Sequence, residues 1–160
     1  MTPNTTKISP LTQQQKTVWQ LISQGLSVSS IATRLKTTRQ YVNQTRLTAE
    51  AKLSSTLLGV AEANNLQVTK LDVKQAILLG YHPALNKKVI VTYTTNFGVK
   101  VWYWYDNPEE VTNEDFLKQT KAYLLDLAIE RGIDMPETET IHPAKLAEYI
   151  FTKLIPEMKA

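Results

Sequence analysis

Leu11 to Leu58 read LTQQQKTVWQLISQGLSVSSIATRLKTTRQYVNQTRLTAEAKLSSTLL, and this run decides the fold class of the N-terminal third. Thr12 with Gln15 three residues on makes a capping box, because each side chain can satisfy an orphan backbone N–H of a helix start. Val18, Leu21 and Ile22 follow on one face at helical spacing. Gly25 stops that helix, since glycine tolerates the left-handed conformation at a C-terminus. Ser27 is the cap of a second, short helix with Ile31, Ala32 and Leu35 expected inward. Thr38 is the cap of a third, which opens Arg39-Gln40-Tyr41-Val42. No glycine or proline interrupts it before Gly59, and Asn64-Asn65 is the better terminator, so an unusually long helix is expected. Val42, Ala49, Leu53, Leu57 and Val60 hold an apolar stripe along it. That stripe suits packing on the rest of the chain and pairing with a second subunit equally well.

Outward from this run the pattern changes at Leu66. Lys88–Thr94 and Val99–Tyr105 are rich in β-branched and aromatic residues on either side of the turn Thr95-Asn96-Phe97-Gly98, which predicts a β-hairpin. An isolated hairpin is marginal in water, so a third strand is expected over Lys74–Gly80, joined by the loop Tyr81–Asn86. Two helices close the chain. Thr112 caps the first, with Phe116, Thr120, Tyr123, Leu124, Leu127 and Ala128 at helical spacing up to Arg131-Gly132. Pro143 opens the second, with Leu146, Ile150, Phe151 and Leu154 inward. The expected class is α+β: helical over residues 1–60, then a small antiparallel sheet with two C-terminal helices over 66–160.

Charge divides the chain in the same place. Residues 1–58 carry seven basic groups against Glu50 alone, a net of +6, whereas residues 106–160 net −6. One end attracts polyanions and the other repels them. The absence of cysteine excludes disulfides and thiolate metal sites. Neither a signal peptide nor a membrane span is read in the chain, so a cytoplasmic protein without membrane contact is expected.

A supporting helix followed by a helix that presents polar side chains from its first turns is how a helix-turn-helix reads the major groove. Ile31, Ala32 and Leu35 supply the supporting face, and Val42 anchors the following helix in the same core. Arg39, Gln40, Asn43, Gln44 and Arg46 fall on other faces and are types that hydrogen-bond bases and phosphates. No acid occurs among residues 1–49, where a carboxylate would oppose phosphate.

Residues 11 to about 58 resemble the helix-turn-helix of LuxR-type regulators and of sigma-factor region four, and are most similar to archaeal Tfx-type transcription regulators. The likeness is carried by Leu11-Thr12, Gln15, Val18, Gly25, Ser27, Ile31-Ala32, Leu35, Thr37-Thr38-Arg39, Val42 and Ala51. It implies sequence-specific binding of promoter DNA as a homodimer, with no cofactor. It further implies base contacts from Arg39, Gln40 and Asn43, and phosphate contacts from Lys36, Thr37, Thr38, Gln44 and Arg46. The part from 66 to 160 would then dimerise or sense an effector. The alternative is an adaptor that binds RNA polymerase or another protein through its acidic half.

Other signals point away from catalysis. His82 and His142 each precede a proline and read as turn or cap residues, a poor metal set. Glu109-Glu110 and Glu114-Asp115 sit where they complement a helix N-terminus. Trp102-Tyr103-Trp104-Tyr105 sends tryptophans to one face of a strand and tyrosines to the other, leaving three uses open: packing, a small-molecule pocket, or base stacking. With no phosphate loop or nucleophile motif, no enzyme is expected.

Overall fold

The computed structural model describes residues 10–104, 113–135 and 141–158. Three helices begin at side-chain caps. Helix α1 (Gln13–Ser23) follows the Thr12–Gln15 capping box, and α2 (Val28–Leu35) follows Ser27, whose hydroxyl accepts from the Ser30 N–H. Helix α3 (Arg39–Ala63) follows Thr38, whose hydroxyl accepts from the Tyr41 N–H. All three close alike. Gly25, Lys36 and Asn65 take left-handed backbone, and the next N–H reaches back to a carbonyl of the last turn: Leu26 to Leu21, Thr37 to Ala32, Leu66 to Ala61.

The sheet is an antiparallel meander in the order β1 (Gln67–Asp72), β2 (Ile77–His82), β3 (Lys87–Thr94), β4 (Gly98–Tyr103). The hairpin forms as expected, with Val91 opposite Val101 and Ile90 opposite Trp102. The third strand starts at Ile77 rather than Lys74, because Asp72 accepts from the Gln75 N–H and Ala76 turns left-handed at φ 51°. Strand β1 is additional to the sequence expectation. Its first four residues are exposed, and its register slips between Val68 and Lys70, where the Thr69 hydroxyl donates to the Leu79 carbonyl. A bulged, polar edge of this kind resists pairing with another chain.

Alternation along the strands gives the sheet two apolar faces. Ile77, Leu79, Ile90 and Trp102 meet α4 (Glu114–Glu130) and α5 (Pro143–Leu154) through Tyr123, Leu124, Leu127, Leu146, Ile150 and Phe151. Ala76, Leu78, Val91 and Tyr93 meet α1 and α3 through Trp19, Ala49, Leu53, Leu57 and Ala61. Helices therefore cover both faces. The α3 stripe packs within the chain, and the expectation of a homodimer draws no support from it. A third, smaller cluster of Val18, Ile31, Ala32 and Val42 holds α1, α2 and the start of α3 together, with Leu26 and Val28 at its border. Leu35, expected inward, is instead 37% exposed, as the last residue of α2.

Both tryptophans of the aromatic run face the C-terminal helices. Trp102 stands edge-on to Tyr123 and Phe151, and Trp104 to Phe151, so they are packing groups rather than an open stacking platform. Tyr105, Glu109-Glu110 and Thr112 lie outside the described residues, as does the side chain of Phe116. His142 caps α5 by accepting from the Ala144 N–H, and His82 accepts from the Leu85 N–H in the β2–β3 turn. No helix among the described residues is long and apolar enough to cross a membrane.

Tyr123 gives this core a titratable marker. Its hydroxyl lies 2.9 Å from Thr92 Oγ1 and 3.2 Å from the Gly98 carbonyl, and burial pushes the phenol from the ordinary 10 up to about 12. The neutral phenol is the form that folding favours. Its contribution is complete below pH 10 and is lost as pH rises through about 12. Spectrophotometric titration of the wild type should therefore show a late-ionising tyrosine component, and Tyr123→Phe should reduce that late amplitude by one tyrosine. Loss of amplitude near pH 10 instead would refute the burial argument.

Candidate nucleic-acid interface

The surface formed by the end of α2, the Lys36 turn and the first turns of α3 is built from short-range rules. Lys36 at φ 55° and ψ 47° turns the chain sharply between the two helices. Thr38 holds extended backbone and caps α3, so Arg39 is the first helical residue. Val42, fully buried, pins this turn of α3 against Ile31 and Ala32 and thereby fixes which side chains face outward. Those are Arg39, Gln40, Tyr41, Asn43 and Gln44, all exposed, joined by exposed Arg34 and Lys36 before the helix. Thr37 is half-buried, and Thr38 is exposed with its hydroxyl engaged as the cap.

Electrostatically the surface carries one sign. Among the described residues Lys36 and Arg39 pair with no acid. The single carboxylate between residues 10 and 61, Glu50, is buried and bound by Arg46 at 3.3 Å. Arg46, placed at a phosphate by the resemblance, is turned inward along α3. Its side chain is 21% exposed, and its second terminal nitrogen donates to Asn43 Oδ1 at 2.7 Å. Lys52 is likewise engaged, donating to Gln15 Oε1 across to α1. The free cations of this surface are thus Arg34, Lys36 and Arg39 among the described residues, fewer than the sequence count suggests.

Compared with models of known protein families, with curated proteins and with solved structures, the chain matches none. The geometry of these helices therefore carries the functional reading.

Sequence reasoning brought out the exposed residues and missed two arrangements around them. The Asn43–Arg46–Glu50 chain was signalled by spacings of three and four, which put side chains in reach of each other on a helix. The second is the anchorage of α1. Trp19 is fully buried between the Tyr93 ring (5.5 Å between centroids) and the Arg131 guanidinium (4.6 Å from its centroid). Ser23 Oγ donates to the Glu130 carbonyl at 2.9 Å, and Gln20 Nε2 donates to Thr95 Oγ1. The helices bearing the interface are thereby bolted to the sheet and to the end of α4.

Proposed function

We propose that this protein is a sequence-specific transcription regulator that binds double-stranded DNA, with the start of α3 in the major groove. It would act in the cytoplasm. The observation that carries this reading is the rigid presentation of Arg39, Gln40, Asn43 and Gln44 from a helix anchored at Val42, on a surface with no exposed carboxylate between residues 10 and 61. Phosphates supply most of the affinity in such complexes, and they do so by releasing condensed counterions. Arg34 and Lys36 are the groups free to do this, with the Thr38 region and Gln44 adding neutral contacts, while Arg39 is assigned to bases.

The test is binding of a labelled duplex over a series of salt concentrations. Log affinity is expected to fall linearly with log salt, with a slope of about −0.9 per phosphate contacted. Affinity that stays flat from low to physiological salt would overturn the proposal. A salt slope with no preference between duplex sequences would favour the adaptor reading, in which DNA contact is secondary.

A further inference from the structure

We infer that Arg46 is a positioning residue for base recognition: held between Glu50 and Asn43, it turns the Asn43 amide so that a hydrogen-bond donor faces the major groove. This rests on α3 being the base-reading helix. Arg46 lies one turn beyond buried Val42 and one before buried Ala49, so its stem runs along the inner side of α3. Its two terminal nitrogens serve different partners, one at 3.3 Å from Glu50 Oε1 and the other at 2.7 Å from Asn43 Oδ1. The Glu50 carboxylate, itself only 12% exposed, fixes the guanidinium from behind.

A guanidinium has donors only, so the amide atom that meets it must be the carbonyl oxygen. The chemistry of the pair thus decides which way the amide is turned. Asn43 is exposed, and with its oxygen drawn back to Arg46 the group it offers outward is the Nδ2 amine. An unconstrained asparagine reads adenine with both atoms, accepting from N6 and donating to N7. A donor-only asparagine instead suits an edge of acceptors, and guanine presents two, N7 and O6. The base facing Asn43 is therefore assigned as guanine in preference to adenine, and Arg46 is assigned no phosphate.

Selection of duplexes from a random pool, using the full chain, tests this with four proteins. Asn43→Ala should flatten one base position, which identifies the base that Asn43 faces. In the wild type that position should be guanine. Arg46→Met keeps the apolar stem and frees the amide, so adenine should gain on guanine there by about fivefold or more. Affinity for mixed-sequence DNA should stay within about twofold, because no phosphate contact is lost. Arg46→Lys keeps the charge but lacks two separate nitrogens to span both partners, and should shift the preference in the same sense even if the methionine variant folds poorly. Adenine at the wild-type position, a guanine preference that survives both Arg46 variants, or an Asn43→Ala selection that flattens no position would each overturn the inference. An equal loss on every sequence would make Arg46 a phosphate clamp and overturn it too. A wild type that enriches no sequence is a different failure: it removes the sequence-specific reading itself, and this role with it.

Discussion

Arg131→Met is expected to lower the unfolding free energy by about 3–5 kcal/mol, the cost of leaving a buried carboxylate without its counter-charge. The Arg131 side chain is fully buried at the end of α4, with Nη1 at 3.1 Å from Glu130, Nε at 2.8 Å from the Gln75 carbonyl and Nη2 at 2.6 Å from the Tyr93 carbonyl. Methionine replaces its volume but satisfies none of these acceptors. Among the described residues Glu130 then keeps only the N–H and hydroxyl of Thr95 as donors. Burial already pushes this carboxyl above its ordinary 4.5, and Arg131 is the main group opposing that rise. Without it the folded-state value climbs further above the unfolded one. A carboxyl raised in this way destabilises where the unfolded chain is ionised. The deficit should therefore be largest near neutral pH and shrink as pH falls toward 4.5. Urea unfolding at about pH 7 and about pH 5 measures both. Adding Glu130→Gln to Arg131→Met should recover part of the loss at the higher pH. A deficit under about 1 kcal/mol, or one indifferent to pH and to the second substitution, would refute the buried-pair argument.

Whether the two halves share a core was not legible in the sequence, and the reason is physical. Caps and terminators are local, since Thr12, Ser27, Thr38 and Gly25 each act within one turn of their own helix. The hairpin is legible for the same reason, because β-branched and aromatic residues crowd Lys88–Thr94 and Val99–Tyr105 on either side of the turn Thr95–Gly98. What covers each face of a sheet is decided between residues far apart in sequence. The α3 stripe reads identically whether it meets Leu78 and Val91 of its own chain or a second subunit. Trp19 next to Val18 broadens the apolar arc of α1, yet nothing local says that its partners are Tyr93 and Arg131. Strand β1 escaped notice because an edge strand with exposed residues carries no alternation to read. At the candidate interface, outward residues followed from the Thr38 cap and the Val42 anchor. Arg46 did not, because its direction depends on a buried acid one turn further along α3.

The contrast between Arg39 and Lys36 gives the second large effect. Arg39 is the first residue of α3, exposed, with no partner among the described acids, and the first turn of a recognition helix points at base edges. An arginine there can make two hydrogen bonds to guanine and so separate it from the other three bases. Arg39→Ala is expected to lower affinity for the preferred site by about 1–3 kcal/mol and to relax one base position, while affinity for scrambled DNA falls much less. Lys36 stands one turn earlier in left-handed backbone at φ 55°; on the proposed reading it lies beside the groove, where a point charge meets phosphate. Lys36→Gly suits that backbone and removes the side chain with its charge, so the turn should survive. It should weaken binding to all sequences alike and reduce the salt slope by about 1. The competing arrangement makes Arg39 a phosphate clamp as well. Measured on the selected site and on its scrambled counterpart, the two substitutions then behave identically, and an equal loss from Arg39→Ala on both duplexes would move base reading to Gln40 and Asn43.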